Sequence, residues 1–274
     1  VVLRVLTLKG MVDFEEVQGY GRKFDNQLDR LRDADIPESD RDAILAFIHY
    51  EDGQGDVNTG TMVNHLNRLR LAAERSETPL TEMDDREDVD GLLFSLKHDH
   101  GLAEGTLRNY RKALRKFFRH RGREWADDIA IGTSPERNVD PNELLTEEEI
   151  EELLDAADDA RDTALIALIA DTGLRISAIA SLRVKDVDLT ERAGTVSINE
   201  EANVKGANGT VPLTWSPGYL ANWLDVHPRS DDGDAAFFHK VRFVEDGEDG
   251  ALSYQYLGRR IKWLADEAGI DRDR

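Results

Sequence analysis

Arg175 is placed where a guanidinium can do chemistry. Ala164 to Ala170 is an unbroken apolar run, which predicts a helix buried on every face rather than along one stripe. Gly173 follows where that helix would close in a left-handed residue, and Leu174, Ile176, Ile179 and Leu182 resume an apolar pattern at helical spacing. An arginine just past such a junction can be held rigidly and can offer a two-pronged fork to a phosphate or a carboxylate. The structural alternative is an ion pair with Asp171 or Asp186. A second cationic group is denser. Glu104 to Arg123 holds eight Arg or Lys against one Glu, a local net of +7 in a chain whose total is −21.

The elements that position these residues can be read around them. Leu107, Tyr110, Leu114 and Phe117 or Phe118 recur at three- and four-residue steps, so the basic stretch is an amphipathic helix with a core stripe. Arg108, Arg111, Lys112, Arg115 and Arg119 share its opposite face. A charge run is commonly a solvated face, yet a chain this rich in acid would solvate itself with Asp and Glu; concentrated cations therefore point to phosphate contact. His65 and Arg68, with Arg70 and Arg75, form a weaker basic group on an earlier helix. Beyond Arg175, Thr195 to Ile198 alternates as a strand and Thr210 to Leu213 gives another, with Lys205 beside Gly206 in the polar turn between them.

Thr172, Gly173, Leu174, Arg175 and Ser177, followed by Leu182, Asp186, Val187 and Asp188, resemble the first arginine motif of the tyrosine recombinases, the phage-integrase family. In that family a small sheet with an active-site lysine follows, and Lys205 ahead of Val211, Pro212 and Leu213 is similar. The resemblance implies a mainly α fold with a small β-sheet: a helical, SAM-like core-binding domain over 1–132, a linker over 133–142 and a catalytic domain over 143–274. It also implies metal-free, cofactor-free DNA strand exchange through a 3′-phosphotyrosyl intermediate, with Arg175 and Lys205 as catalytic residues. The partners it implies are double-stranded DNA and further copies of the protein in a tetrameric synapse.

Two positions depart from the family pattern. Ala178 replaces an acidic residue three after the motif arginine, and Gly209-Thr210 replaces an arginine ahead of the second strand. His239 and Arg242 spell the family's His-x-x-Arg, with Tyr254 and Tyr256 after them. Their order is wrong, because the family places that motif on a helix after the segment that Leu252 to Gly269 resembles; His239 is read instead as part of an exposed loop after a short strand at Phe237-Phe238. The expectation is that the true motif and the tyrosine nucleophile lie beyond Arg274. The chain is then expected to be a fragment, which Val1 at its start favours, or a natural truncation, and in either case to bind DNA without cutting it. The alternative is a non-catalytic DNA-binding protein or regulator derived from a recombinase.

Composition bounds these readings. At 274 residues the chain can form two cores. It has no cysteine and no apolar run of membrane-spanning length, which excludes disulfides and thiolate metal sites and fits a cytoplasmic, nucleoid-associated protein without a membrane. The acid is spread through nearly every loop, as at Glu51, Asp52, Asp84, Asp85, Asp231, Asp232, Glu245 and Asp246. That distribution suits surface hydration in a salt-rich, halophilic cytoplasm better than a cationic partner. The N-terminal part reads as helices only, over Phe14 to Leu31, Asp40 to Phe47, Thr61 to Ala73 and Asp88 to Lys97.

Overall fold

The structure, a computed structural model, describes residues 19–55, 57–133, 140, 144–190, 193–198, 209–241 and 250–271. They form two compact units, one spanning Tyr20–Asn138 and the other containing the residues from Val139 onward. As the sequence reading expects, the described residues are mainly α with a small sheet.

Among its described residues the first unit holds five α-helices: α1 (Tyr20–Arg32), α2 (Glu38–Gln54), α3 (Thr59–Arg75), α4 (Arg86–His98) and α5 (Glu104–His120). Each carries the expected spacing of apolar residues, which converge on one core containing Leu31, Ile44, Phe47, Leu66, Leu69, Leu107, Tyr110, Leu114 and Phe117. Burial of that stripe, more than helix propensity, holds short helices of this kind. α3 begins where Asn58 accepts from the Thr61 N–H, and α4 where Asp85 accepts from that of Asp88; both caps satisfy donors that a helix start leaves open.

The second unit's first described helix is α6 (Glu147–Asp155), where Thr146 and Glu149 form a capping box. α7 (Ala160–Thr172) follows, with Ala164 to Leu168 all buried, and ends at Gly173 in the left-handed conformation with φ 62°. The apolar pattern after Gly173 yields only a short helix, α8 (Ile176–Ala180). The chain then turns into a three-stranded antiparallel sheet ordered β1 (Val187–Leu189), β2 (Gly194–Ser197), β3 (Thr210–Leu213). Sequence reading missed β1 because its three residues are too few to show alternation. Pro212, opposite Thr195, is tolerated because β3 lies at the sheet's edge and Pro lacks the N–H a central strand must donate. α9 (Pro217–Asp225) starts at Ser216-Pro217, and α10 (Tyr254–Glu267) is capped by Ser253, whose side chain accepts the Tyr256 N–H.

The segment around His239 corrects two expectations. Phe237 and Phe238 are buried but form no strand; instead Arg183 bridges to Ala236 and His239 to Ala251. His239 is not in an exposed loop: it is 2% exposed and packs its ring on Gly250. Its Nδ1 lies 2.6 Å from the carbonyl of Lys240, and its ring meets that of buried His227 at 5.5 Å. Burial against Gly250 and the His227 ring makes the imidazole part of the core, a role that spacing in sequence does not reveal.

Candidate functional site

The Arg175 junction is rigid for reasons visible residue by residue. α7 is buried between the sheet and α9, in a core shared by Leu165, Leu168, Val196, Leu213, Leu220 and Trp223. Its last turn is tied down by Thr172, whose hydroxyl donates to the Leu168 carbonyl at 2.6 Å and accepts the Leu174 N–H at 3.3 Å. Only glycine takes the positive φ at position 173 without strain. Arg175 then sits at the N-cap of α8, its carbonyl accepting from Ala178 and Ile179 at 2.8 and 3.1 Å. Its side chain is exposed.

Asp171 and Asp186, the carboxylates weighed against Arg175 from the sequence, both bond to other groups. Asp186 accepts the Arg183 N–H at 2.8 Å and lies 3.5 Å from the Arg183 guanidinium. Asp171 is taken by Thr214, Trp215 and Ser216 at the end of β3. Ala178 is fully buried, so the acid expected by family resemblance is replaced by core packing. Lys205 falls outside the described residues, between β2 and β3, as does Arg242 of the His-x-x-Arg string.

On α5 the basic face forms as the spacing dictates, and the fold adds acid to it. Arg111 is bonded to Glu104, and Arg119 to Asp127, which also lies 3.5 Å from Arg115. Arg108 donates to the Gly132 carbonyl at 3.3 Å. Lys112 shares the face and is partly buried. The hydrogen bond from Arg111 holds the Glu104 carboxyl below its ordinary range, and that from Arg119 does the same for Asp127. Both acids are more than half exposed, and such pairs contribute little because water screens them. The guanidiniums are therefore ordered by partners that a phosphate can replace at small cost.

The weaker basic group on α3 is not an exposed face. His65 is 7% exposed, with Nδ1 2.7 Å from the buried carboxylate of Glu51, which also takes Lys116 at 3.1 Å. Arg68 is partly buried, its guanidinium 5.2 Å from the centre of the Tyr110 ring. A helical wheel cannot separate a cation facing solvent from one facing an acid on the neighbouring helix. Sequence reading also missed a buried ion cluster, in which Asp162, 1% exposed, is bonded to both Arg161 and Arg260. Arg260 lies on α10, and it covers the Trp263 ring at 4.0 Å. No short-range signal links positions that far apart.

Among the described residues no cluster of His, Cys, Asp and Glu could hold a metal ion, and no helix is long and apolar enough to cross a membrane. A guanidinium such as that of Arg175, or those along α5, can bind and neutralise anionic oxygen.

The Phage integrase family model matches residues 143–274. The tyrosine recombinase XerD of Ralstonia nicotianae is 30% identical over 249 residues, spanning 84% of this chain and 77% of the relative. Other XerD relatives are spanned over only 53% and 62% of their length. Among solved structures, the fold is similar to XerH site-specific recombinase bound to its difH substrate, with TM-score 0.55, 18% identity and coverage of 97% of this chain and 83% of that one. It is also similar to a lambda integrase tetramer bound to a Holliday junction, with TM-score 0.59, 14% identity and coverage of 83% and 63%. The chain belongs to the phage integrase family of tyrosine recombinases.

Proposed function

We propose that this protein is a site-specific DNA recombinase and that Arg175 is its first phosphate ligand. The observation that carries the reading is the junction itself: a helix buried from Ala164 to Leu168, closed by a left-handed glycine, delivers an exposed arginine on a fixed backbone. In the reaction a tyrosine oxygen attacks a backbone phosphate, giving a 3′-phosphotyrosyl link and a free 5′-hydroxyl, which conserves the bond for rejoining. Arg175 neutralises charge on the non-bridging oxygens of the five-coordinate state. Lys205 protonates the departing 5′ oxygen.

Duplex DNA is held by α5 through Arg108, Arg111, Lys112, Arg115 and Arg119, which contact phosphates without reading sequence. Residues 1–132 act as the core-binding domain, 133–142 as the linker and 143–274 as the part that carries the chemistry. Self-association on DNA, in the manner of the lambda integrase tetramer, is part of the same reading. The dispersed acid keeps the surface hydrated in molar salt.

The test is single-turnover cleavage of a nicked duplex by the protein as its gene encodes it. Arg175→Lys should lower the rate about a hundredfold or more while folding and DNA affinity stay close to wild type, since one fork is lost among many phosphate contacts. Wild-type cleavage by that variant removes Arg175 from the site.

A further inference from the structure

Asp171 lies four residues before Arg175 at the end of α7, and its carboxylate reaches the segment that follows the sheet's edge strand. Oδ2 accepts the backbone N–H groups of Thr214, Trp215 and Ser216 at 2.9, 3.3 and 3.2 Å, and the Ser216 hydroxyl at 2.6 Å. Oδ1 accepts the Thr214 hydroxyl. Three consecutive N–H groups closing on one anion form a nest, here filled by a side chain from another element. The Ser216 side chain does not cap α9 itself. Burial opposes ionisation of Asp171, yet these donors hold its carboxyl below the ordinary range.

We propose that Asp171 is a positioning residue for the phosphate ligand: it locks the α7–α8 turn that presents Arg175 onto the end of β3 and the start of α9. Between the lock and the arginine the chain has little freedom, because Thr172 is bonded at both ends, Gly173 is fixed at φ 62° and Arg175 is already the N-cap of α8. Releasing Asp171 frees the side-chain tie that joins this turn's leading end to the end of β3 and the start of α9. The guanidinium then loses its register with the phosphate, and displacement of a reacting group by about 1 Å can cost about a hundredfold. The inference rests on the reading of Arg175 as a phosphate ligand.

Phosphate-ethylation interference tests it without requiring cleavage. The probe is a duplex selected by the protein from a random-sequence pool, and wild type is compared with Arg175→Ala and Asp171→Asn. Arg175→Ala should lose interference at one phosphate in each half-site, and Asp171→Asn should lose it at the same phosphate while all other positions persist. If Asp171→Asn retains that phosphate, the positioning role is wrong; if it weakens every phosphate alike, Asp171 serves only the fold. Should Asp171→Asn fail to fold, Ser216→Ala, which removes the 2.6 Å donor and keeps the carboxylate, decides the same question by the same footprint. If Arg175→Ala itself loses no phosphate, the reading of Arg175 has failed first, an outcome distinct from the others.

Discussion

The His65 imidazole lies 2.7 Å from the Glu51 carboxylate in the core of the first unit, with side-chain exposures of 9% and 3%. Lys116 closes the cluster from α5 at 3.1 Å. Burial opposes the Glu51 charge, but the hydrogen bonds and charges of His65 and Lys116 outweigh it and hold the carboxyl below its ordinary value. A carboxyl depressed by folding adds stability that is present above the unfolded value, about 4.3, and is lost as pH falls through the folded one. Glu51→Gln should therefore cost about 1–3 kcal/mol near neutral pH. Urea denaturation at several pH values should show the gap to wild type closing as pH drops below the ordinary carboxylate range. A gap independent of pH would mean that the charge of Glu51 contributes nothing.

The α5 face carries opposing expectations for its acids and its bases. Replacing Arg108, Arg115 and Arg119 with Glu should weaken binding to all duplexes alike and lower the slope of log affinity against log salt by about 1 per lost contact. Asp127→Asn should do the reverse, raising affinity, because it releases Arg115 and Arg119 and removes a charge that repels phosphate. Fluorescence anisotropy over a salt series, with helix content checked at each concentration, measures both. Undiminished binding after the triple reversal would move the DNA contact away from this face.

Lys205→Ala should slow cleavage of ordinary DNA by about 10²–10⁴-fold. A substrate with sulfur in place of the leaving 5′ oxygen should be spared, since a thiolate departs without protonation. Equal loss on both substrates would make Lys205 a binding residue and leave the general acid to another group.

Gly250 adopts φ 71°, and a Cβ added there would come within 2.1 Å of the His239 ring. Gly250→Ala thus combines backbone strain with overpacking of a buried imidazole. Destabilisation of about 2–4 kcal/mol is expected. A thermal melt unchanged from wild type would show that His239 can leave its place in the core.

Much of this protein is written in short-range pattern. The capping box at Thr146, the left-handed closure at Gly173, the helix start at Ser216-Pro217, the cap at Ser253 and the stripe of α5 follow from spacings of seven residues or fewer. Local hydrogen bonding and helical periodicity act over that distance, so the sequence by itself determined the helices and the exposed seat of Arg175. The tertiary structure alone decided what each polar group faces. It turned His65 from a surface base into the partner of Glu51, drew Asp171 away from Arg175 to Thr214 and Ser216, and buried His239 against Gly250. It also paired Asp162 with Arg260 across ninety-eight positions. Those outcomes depend on which faces of distant elements meet when apolar surface is buried, and one-dimensional spacing carries no measure of that distance.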